Sequence, residues 1–269
     1  MKSESVLSAT ALFPLGCPRS GTTFVARILN AHPEILMTYE TAVFLQLNHR
    51  ILNARATARP DERGKRDDLW GEELARNCQP LIEKYYEKIA RLESKKTLAY
   101  WGDKHPHHAQ QGCLDFIDGL YPEARYIYIV RDPRDSACSI AAMRACDFEE
   151  AITIWQRLSK SYEQFVGAHE ERVQIVRYED LVERTEGETR SLLEGLDLAW
   201  HADVHTFLTD HARRDVHAIG LSRYRPRDFS AEAVGRWRRE ISPQEDQLAR
   251  RIVGDFIERY GYSEGIASC

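Results

Sequence analysis

The sequence contains no apolar run near the roughly 20 residues that a transmembrane helix requires. Its six cysteines form no CxxC pair and show no His/Cys ligand spacing. We therefore expect no membrane span, metal framework or disulfide framework, and we expect a reduced cytoplasmic protein. The formal net charge of −5 gives no overall attraction to nucleic acid. Any anionic ligand must be bound by arginine and lysine side chains placed locally.

The chain has the composition of a globular protein, with 43% hydrophobic and 29% charged residues among 269. The N-terminal apolar stretch runs directly into the motif described next, so cleavage as a signal peptide would damage that motif. Predicted strands alternate with predicted helices, which indicates an α/β fold with a parallel sheet. Strands are predicted at 10–16, 35–37, 98–102, 125–130 and 173–176, and helices at 22–30, 41–56, 107–120, 135–144, 148–168 and 243–260.

We predict one domain over residues 1–269, with a charged helical insertion around residues 57–96. A solvated charged surface explains that stretch more simply than a mobile cover does. The expected class is a three-layer α/β domain, with a central parallel sheet flanked by helices.

Residues 16–23, Gly-Cys-Pro-Arg-Ser-Gly-Thr-Thr, form the most informative motif and lie between a predicted strand and a predicted helix. Their glycines let backbone N–H groups and the helix N-terminus point at one phosphate, as in a P-loop. Thr22 replaces the usual P-loop lysine, which normally reaches the β- and γ-phosphates. The domain is therefore predicted to be P-loop-like, and its loop suits one terminal phosphate-like group better than a triphosphate.

The string Pro18 to Thr23 resembles the 5′-phosphosulfate loop of sulfotransferases that use 3′-phosphoadenosine 5′-phosphosulfate (PAPS). The resemblance implies transfer of the sulfuryl group of PAPS to an acceptor hydroxyl, with PAP as product and no metal requirement. It also implies that Arg19 stabilises the bridging oxygen. The loop residues implied to hold the 5′-phosphate are Arg19, Ser20, Gly21, Thr22 and Thr23.

A second string, from Val130 to Ser139, resembles the 3′-phosphate site of the same family. Arg131 would offer a bidentate fork at the carboxyl edge of the sheet, and Ser139 would add a hydroxyl. Alone, this string is equally typical of a capped helix start with surface charge. Weaker matches place Tyr178 near the nucleotide and Arg236 over the 3′-phosphate. A buried tyrosine and a tryptophan at a helix start explain those two segments nearly as well.

Three candidates for the base that takes the acceptor proton lie at predicted strand ends: Glu40, His105 and His107. The segment around Glu40 resembles the protein-tyrosine sulfotransferase branch, in which a Glu-Thr pair supplies the base. Histidine has the more convenient solution pKa, so this match alone favours Glu40 over His105. Pro106 occupies the position at which the small-molecule branch has its histidine. Lys104 is a candidate for stabilising transition-state charge.

Two other functions stay open on the sequence. A P-loop kinase or nucleotide hydrolase would require magnesium and ATP, and the missing lysine argues against it. A PAP- or PAPS-binding protein without catalysis is the other. The acceptor could be a small molecule, a lipid, a glycan or a peptide tyrosine, and a homodimer is equally open. We expect no nucleic-acid partner.

Overall fold

A parallel sheet of five strands forms the centre of the computed structural model, which describes residues 9–57, 74–211 and 231–265. The strand order is β2-β3-β1-β4-β5, and every pairing is parallel. This confirms the predicted central sheet. The strands are β1 (Thr10–Leu15), β2 (Ile35–Tyr39), β3 (Tyr100–Lys104), β4 (Arg125–Val130) and β5 (Val173–Arg177).

Helices connect these strands and cover the sheet. None of the described helices combines the length and apolar composition needed to cross a bilayer. Two short 3₁₀ turns, Glu170–Arg172 and Ala231–Ala233, complete the regular structure of the described residues. The α-helices are α1 (Thr22–Ala31), α2 (Val43–Thr57), α3 (Leu74–Leu92), α4 (Cys113–Leu120), α5 (Pro133–Arg144), α6 (Phe148–Ala168), α7 (Tyr178–Glu183), α8 (Thr185–Glu194), α9 (Ala202–His211), α10 (Trp237–Glu240) and α11 (Pro243–Arg259).

The alternation of side chains along the strands divides the core between the two faces of the sheet. On β4, Tyr126 and Tyr128 belong to the cluster covered by α2 to α6 and α11. Ile127 and Ile129 belong to the opposite cluster, which α1 and α7 to α9 cover. The result is a helix–sheet–helix sandwich, which is the predicted three-layer α/β class.

Two predicted elements were misplaced. The helix expected over residues 107–120 begins only at Cys113, because Gln111 and Gly112 have φ of 54° and 69°, which no α-helix continues. The strand expected at 98–102 is shifted to Tyr100–Lys104, since β3 stays paired with β2 as far as Lys104. Helices α7 to α9 had no counterpart in the prediction.

The predicted insertion around residues 57–96 lies partly outside the described residues, which omit 58–73. The part that is described forms α3. Four side chains spaced one turn apart along α3 are buried in the core, so this helix packs against the domain by an amphipathic face. They are Cys78, Ile82, Tyr86 and Ala90.

Candidate active site

The phosphate-loop candidate, residues 16–21, joins the carboxyl end of β1 to α1. Gly21 has φ of 94°, and a Cβ there would lie 2.4 Å from Cδ2 of Tyr178. A Cβ on Gly16 would lie 2.8 Å from the carbonyl oxygen of Ile129. Only glycine therefore lets the loop pass this close to β4 and to the tyrosine after β5. Arg19, between the two glycines, also has a left-handed backbone, with φ of 71°.

Polar groups of this loop are buried at the N-terminus of α1. Ser20 and Thr22 are both buried, and Thr22 with Thr23 opens the helix, where the dipole favours an anion. Within the described part of the chain, Ser20 Oγ has no hydrogen-bond partner. A buried hydroxyl without a hydrogen-bond partner destabilises the fold. A bound ligand that supplies the partner would explain why this one is present.

The structure brings the loop together with the second predicted phosphate site. Arg131 Nη1 donates to the Arg19 carbonyl at 2.7 Å, and Arg19 Nε donates to Ser139 Oγ at 2.8 Å. Arg131 Nη2 donates to the Ala233 carbonyl at 2.6 Å, and its guanidinium lies 4.3 Å above the ring of Tyr178. Four of the predicted nucleotide-binding side chains thus form one contiguous group.

Arg236 has a different environment. Its guanidinium pairs with Glu240, with Nη2 2.8 Å from Oε2. The segment around it is held by Asp135, whose carboxylate accepts hydrogen bonds from Gly235 N at 2.7 Å and Trp237 N at 2.9 Å. Burial raises the pKa of Asp135 to about 6, although both backbone donors and Arg131 oppose the rise. This role of Asp135 was not predicted from the sequence, although the residue stands inside the motif that contains Arg131.

Glu40 and Lys104 form an ion pair at the carboxyl ends of β2 and β3. Lys104 Nζ lies 2.6 Å from Glu40 Oε1; the lysine side chain is 3% exposed and the glutamate side chain 55%. Glu40 N donates to the Lys104 carbonyl at 2.8 Å, which extends the β2–β3 pairing by one residue. Burial pushes the pKa of Glu40 up, but the hydrogen bond and charge of Lys104 outweigh it, so the pKa is lowered. Glu40 is therefore an ionised, solvent-reachable carboxylate at neutral pH.

The family model described as "Sulfotransferase family" matches residues 11–202 of the chain. The chain belongs to the sulfotransferase family. The match includes Arg19, Glu40, Lys104, Arg131 and Ser139, while Arg236 lies beyond its end.

Among known relatives, the chain is 28% identical over 202 residues to the protein-tyrosine sulfotransferase of Drosophila melanogaster, covering 71% of this chain but only 38% of the relative. It is 27% identical over 275 residues to protein-tyrosine sulfotransferase 1 of Danio rerio, covering 93% of this chain and 72% of that one. The solved structure of a mouse sulfotransferase complexed with PAP has the same fold. The two structures superpose with a TM-score of 0.58 and are 13% identical in sequence. The superposition covers 97% of this chain and 92% of the mouse chain.

In this member of the family, three histidines follow the catalytic-site candidate Lys104. Burial lowers the pKa of His105 to about 4, helped by His107 and Lys104. The pKa of His107 is also lowered, first by burial and then by Arg144. His105 and His107 are therefore neutral at pH 7, with ring centroids 5.5 Å apart. Across residues 9–57, 74–211 and 231–265, no three His, Cys, Asp or Glu side chains are grouped to hold a metal ion.

Proposed function

We propose that this chain is a PAPS-dependent sulfotransferase that moves the sulfuryl group of PAPS to an acceptor hydroxyl. The observation that carries the proposal is the contact of Arg19 in the loop with both Arg131, which follows β4, and Ser139 on α5. The side chains that we propose for the two anionic groups therefore lie side by side. A nucleotide with a phosphate at its 3′ position and a phosphosulfate at its 5′ position would suit that arrangement. The mouse relative complexed with PAP supports the same nucleotide.

The residues present fit such a nucleotide. Ser20 Oγ and Arg131 Nε are buried and lack hydrogen-bond partners among the described residues, so both could serve a ligand oxygen. We propose that residues 19–23 hold the 5′ group, and that Arg131 with Ser139 holds the 3′-phosphate. Tyr178 would keep the Arg131 guanidinium in place by stacking. For Arg236 to close over the 3′-phosphate, its guanidinium would have to leave Glu240.

PAPS, when bound, brings an activated sulfuryl group with a good leaving group. We assign Glu40 as the base: it takes the proton of the acceptor hydroxyl as that oxygen bonds to sulfur and the bond from sulfur to the departing phosphate breaks. Lys104 is buried beside Glu40, and it keeps the carboxylate ionised and stabilises negative charge during transfer. Arg19 is the second cation proposed for that charge. His105, neutral at pH 7, is the alternative base.

The Drosophila melanogaster and Danio rerio relatives are protein-tyrosine sulfotransferases by name, so a peptide tyrosine is the first acceptor to test. Small molecules, lipids and glycans follow it, because the half-exposed Glu40 is open to solvent and selects no acceptor class. A single domain over residues 1–269, a cytoplasmic location and a homodimer stay predictions.

Transfer of labelled sulfate from PAPS across this acceptor panel tests the proposal. We expect transfer that EDTA does not abolish, together with calorimetric binding of PAP that is at least about 100-fold tighter than binding of ATP with magnesium. Tighter binding of ATP with magnesium would instead favour the kinase or hydrolase. PAP binding with no transfer to any acceptor would favour the non-catalytic binding protein.

A further inference from the structure

A fully buried carboxylate lies directly behind the Glu40–Lys104 pair. Asp103 precedes Lys104 on β3, and its side chain is 0% exposed. In the parallel register of the sheet Asp103 stands opposite Thr38 of β2. The Thr38 hydroxyl donates to Asp103 Oδ1 at 2.9 Å, and Thr41 N donates to the same oxygen at 3.4 Å. One carboxylate oxygen therefore contacts the chain on both sides of Glu40.

The backbone around Glu40 needs such support. Glu40 and Ala42 have φ of 52° and 56°, in the left-handed region that residues other than glycine occupy at a cost. Within this turn, Glu40 N is held by the Lys104 carbonyl and Thr41 N by Asp103. Asp103 thus restrains the turn, and Lys104 restrains the carboxylate that the turn carries.

Burying a carboxylate at this point is expensive, so packing alone does not account for it. Burial raises the pKa of Asp103, although Thr38, Thr41 and Lys104 act in the opposite direction. Asp103 Oδ2 has no hydrogen-bond partner among the described residues, and His108 Nε2 is the nearby group at 3.8 Å. The hydrogen bonds that a buried carboxylate does make can fix a unique local geometry.

We infer that Asp103 is a positioning residue for the Glu40 base, acting through the Thr38 and Thr41 hydrogen bonds. The inference rests on the proposed function, because it presupposes that Glu40 takes the acceptor proton. Asp103 itself is too deeply buried to touch an acceptor. It determines the position of the Glu40 carboxylate and how firmly that carboxylate remains paired with Lys104.

The test compares Asp103→Ala with Asp103→Asn. Both remove the carboxyl group, but asparagine keeps an oxygen for Thr38 and Thr41, and its amide can donate to neutral His108. We expect Asp103→Ala to lower kcat about 30- to 100-fold, as a displaced catalytic group does. Asp103→Asn should recover kcat to within about 5-fold of wild type. The Kd for PAP should change less than about 3-fold in both, because the phosphate-binding groups lie on other elements.

The pH profile separates positioning from a structural role. When Glu40 is held less firmly on Lys104, its pKa rises, so the acid limb of kcat/KM should lie at higher pH in Asp103→Ala than in Asp103→Asn. Loss of stability alone would lower the Tm and the PAP affinity together. The acid limbs of the two variants would then lie at the same pH. That outcome, or wild-type kcat in Asp103→Ala, overturns the inference.

Two more variants keep the test decisive. If Asp103→Ala does not fold, Thr38→Val removes one hydrogen bond to Asp103 at nearly constant volume and should lower kcat about 5-fold. Thr189→Val, a buried hydroxyl bonded to the Thr185 carbonyl on α8, is its control and should keep wild-type kcat. Glu40→Gln distinguishes the two failures. If that variant turns over normally, the base assignment is wrong; if it is inactive while Asp103→Ala is fully active, only the positioning role is wrong.

Discussion

Arg19 Nε donates a hydrogen bond to the hydroxyl of Ser139 at 2.8 Å, although 120 positions separate the two residues in the chain. Arg131 reinforces the link by donating to the Arg19 carbonyl at 2.7 Å. The loop at residues 16–21 and the segment from Arg131 to Ser139 are therefore joined by the same polar groups that we propose for the two ends of the nucleotide. A change on one side should be felt on the other.

Ser139→Ala should weaken PAP binding about 10- to 100-fold, as expected for a lost hydrogen bond to a charged group. The variant removes a hydroxyl from the proposed 3′-phosphate site and leaves the backbone of α5 unchanged. Isothermal titration calorimetry with PAP measures the effect directly.

Two controls define what that loss means. Ser159→Ala removes another buried serine hydroxyl, on α6, and should leave the PAP affinity unchanged. Adenosine 5′-monophosphate lacks the 3′-phosphate, so Ser139→Ala should weaken its binding less than it weakens the binding of PAP. An equal loss for both nucleotides would mean that Ser139 acts only through Arg19 on the loop.

Glu40→Gln should lower kcat by about 10²- to 10⁴-fold, the usual contribution of a general base, while PAP affinity stays the same. Glutamine keeps the size of the side chain and a hydrogen-bond acceptor near Lys104, so the change isolates the proton acceptor. His105→Asn is the matched variant and should lose less than about 10-fold. Single-turnover measurements with saturating PAPS compare the two, and the reverse order of losses would assign the base to His105.

Local pattern was enough to predict most of the fold. The β-branched and aromatic run Arg125–Val130 is a strand by composition alone, and Ser242 with Pro243 marks the start of α11. Helix α11 begins there, with Ser242 N bonded to Glu245 Oε2 at 2.7 Å. Helices α7 to α9 escaped prediction because their apolar positions are defined by packing on β5 and α1.

The candidate site divides in the same way. Its motif residues could be named from the sequence because they stand in short contiguous strings that resemble motifs of the family. Asp103 and Asp135 could not be assigned roles, because their partners are backbone N–H groups distant in sequence: Thr41 N for the first, and Gly235 N and Trp237 N for the second. Such contacts arise from strand register and chain crossing, which no local spacing encodes.

Lys104→Met should move the acid limb of the kcat/KM profile to higher pH. The pKa of Glu40 is held below its usual value by Lys104, so removal of the cation raises that pKa and protonates the base at a higher pH. The profile is measured from about pH 4 upwards, and kcat at its plateau should also fall because a charge-stabilising group is lost. Lys95→Met, a half-buried lysine bonded to the carbonyls of Asn30 and His32, should leave the limb in place. An unmoved limb in Lys104→Met would contradict the assignment of that limb to Glu40.

His108→Phe should make the fold less sensitive to acid. Burial lowers the pKa of His108 to about 3, and His105, Lys104 and His107 add to the effect, while Asp103 Oδ2 lies 3.8 Å away. A histidine whose folded-state pKa lies below its unfolded value stabilises the fold fully above the unfolded pKa, and this contribution is lost as pH falls toward the folded pKa. Between pH 7.5 and 5.0 the loss for His108 is about 2 kcal/mol.

Phenylalanine matches the aromatic surroundings of this site, because the rings of Phe13 and Phe44 already lie edge-on to His108 at 5.9 and 6.1 Å. It carries no proton to lose or gain. Thermal unfolding at both pH values should therefore show a Tm decrease on acidification that is smaller in His108→Phe by roughly 4 to 8 °C. Equal decreases in the variant and the wild type would mean that His108 is not buried as a neutral group.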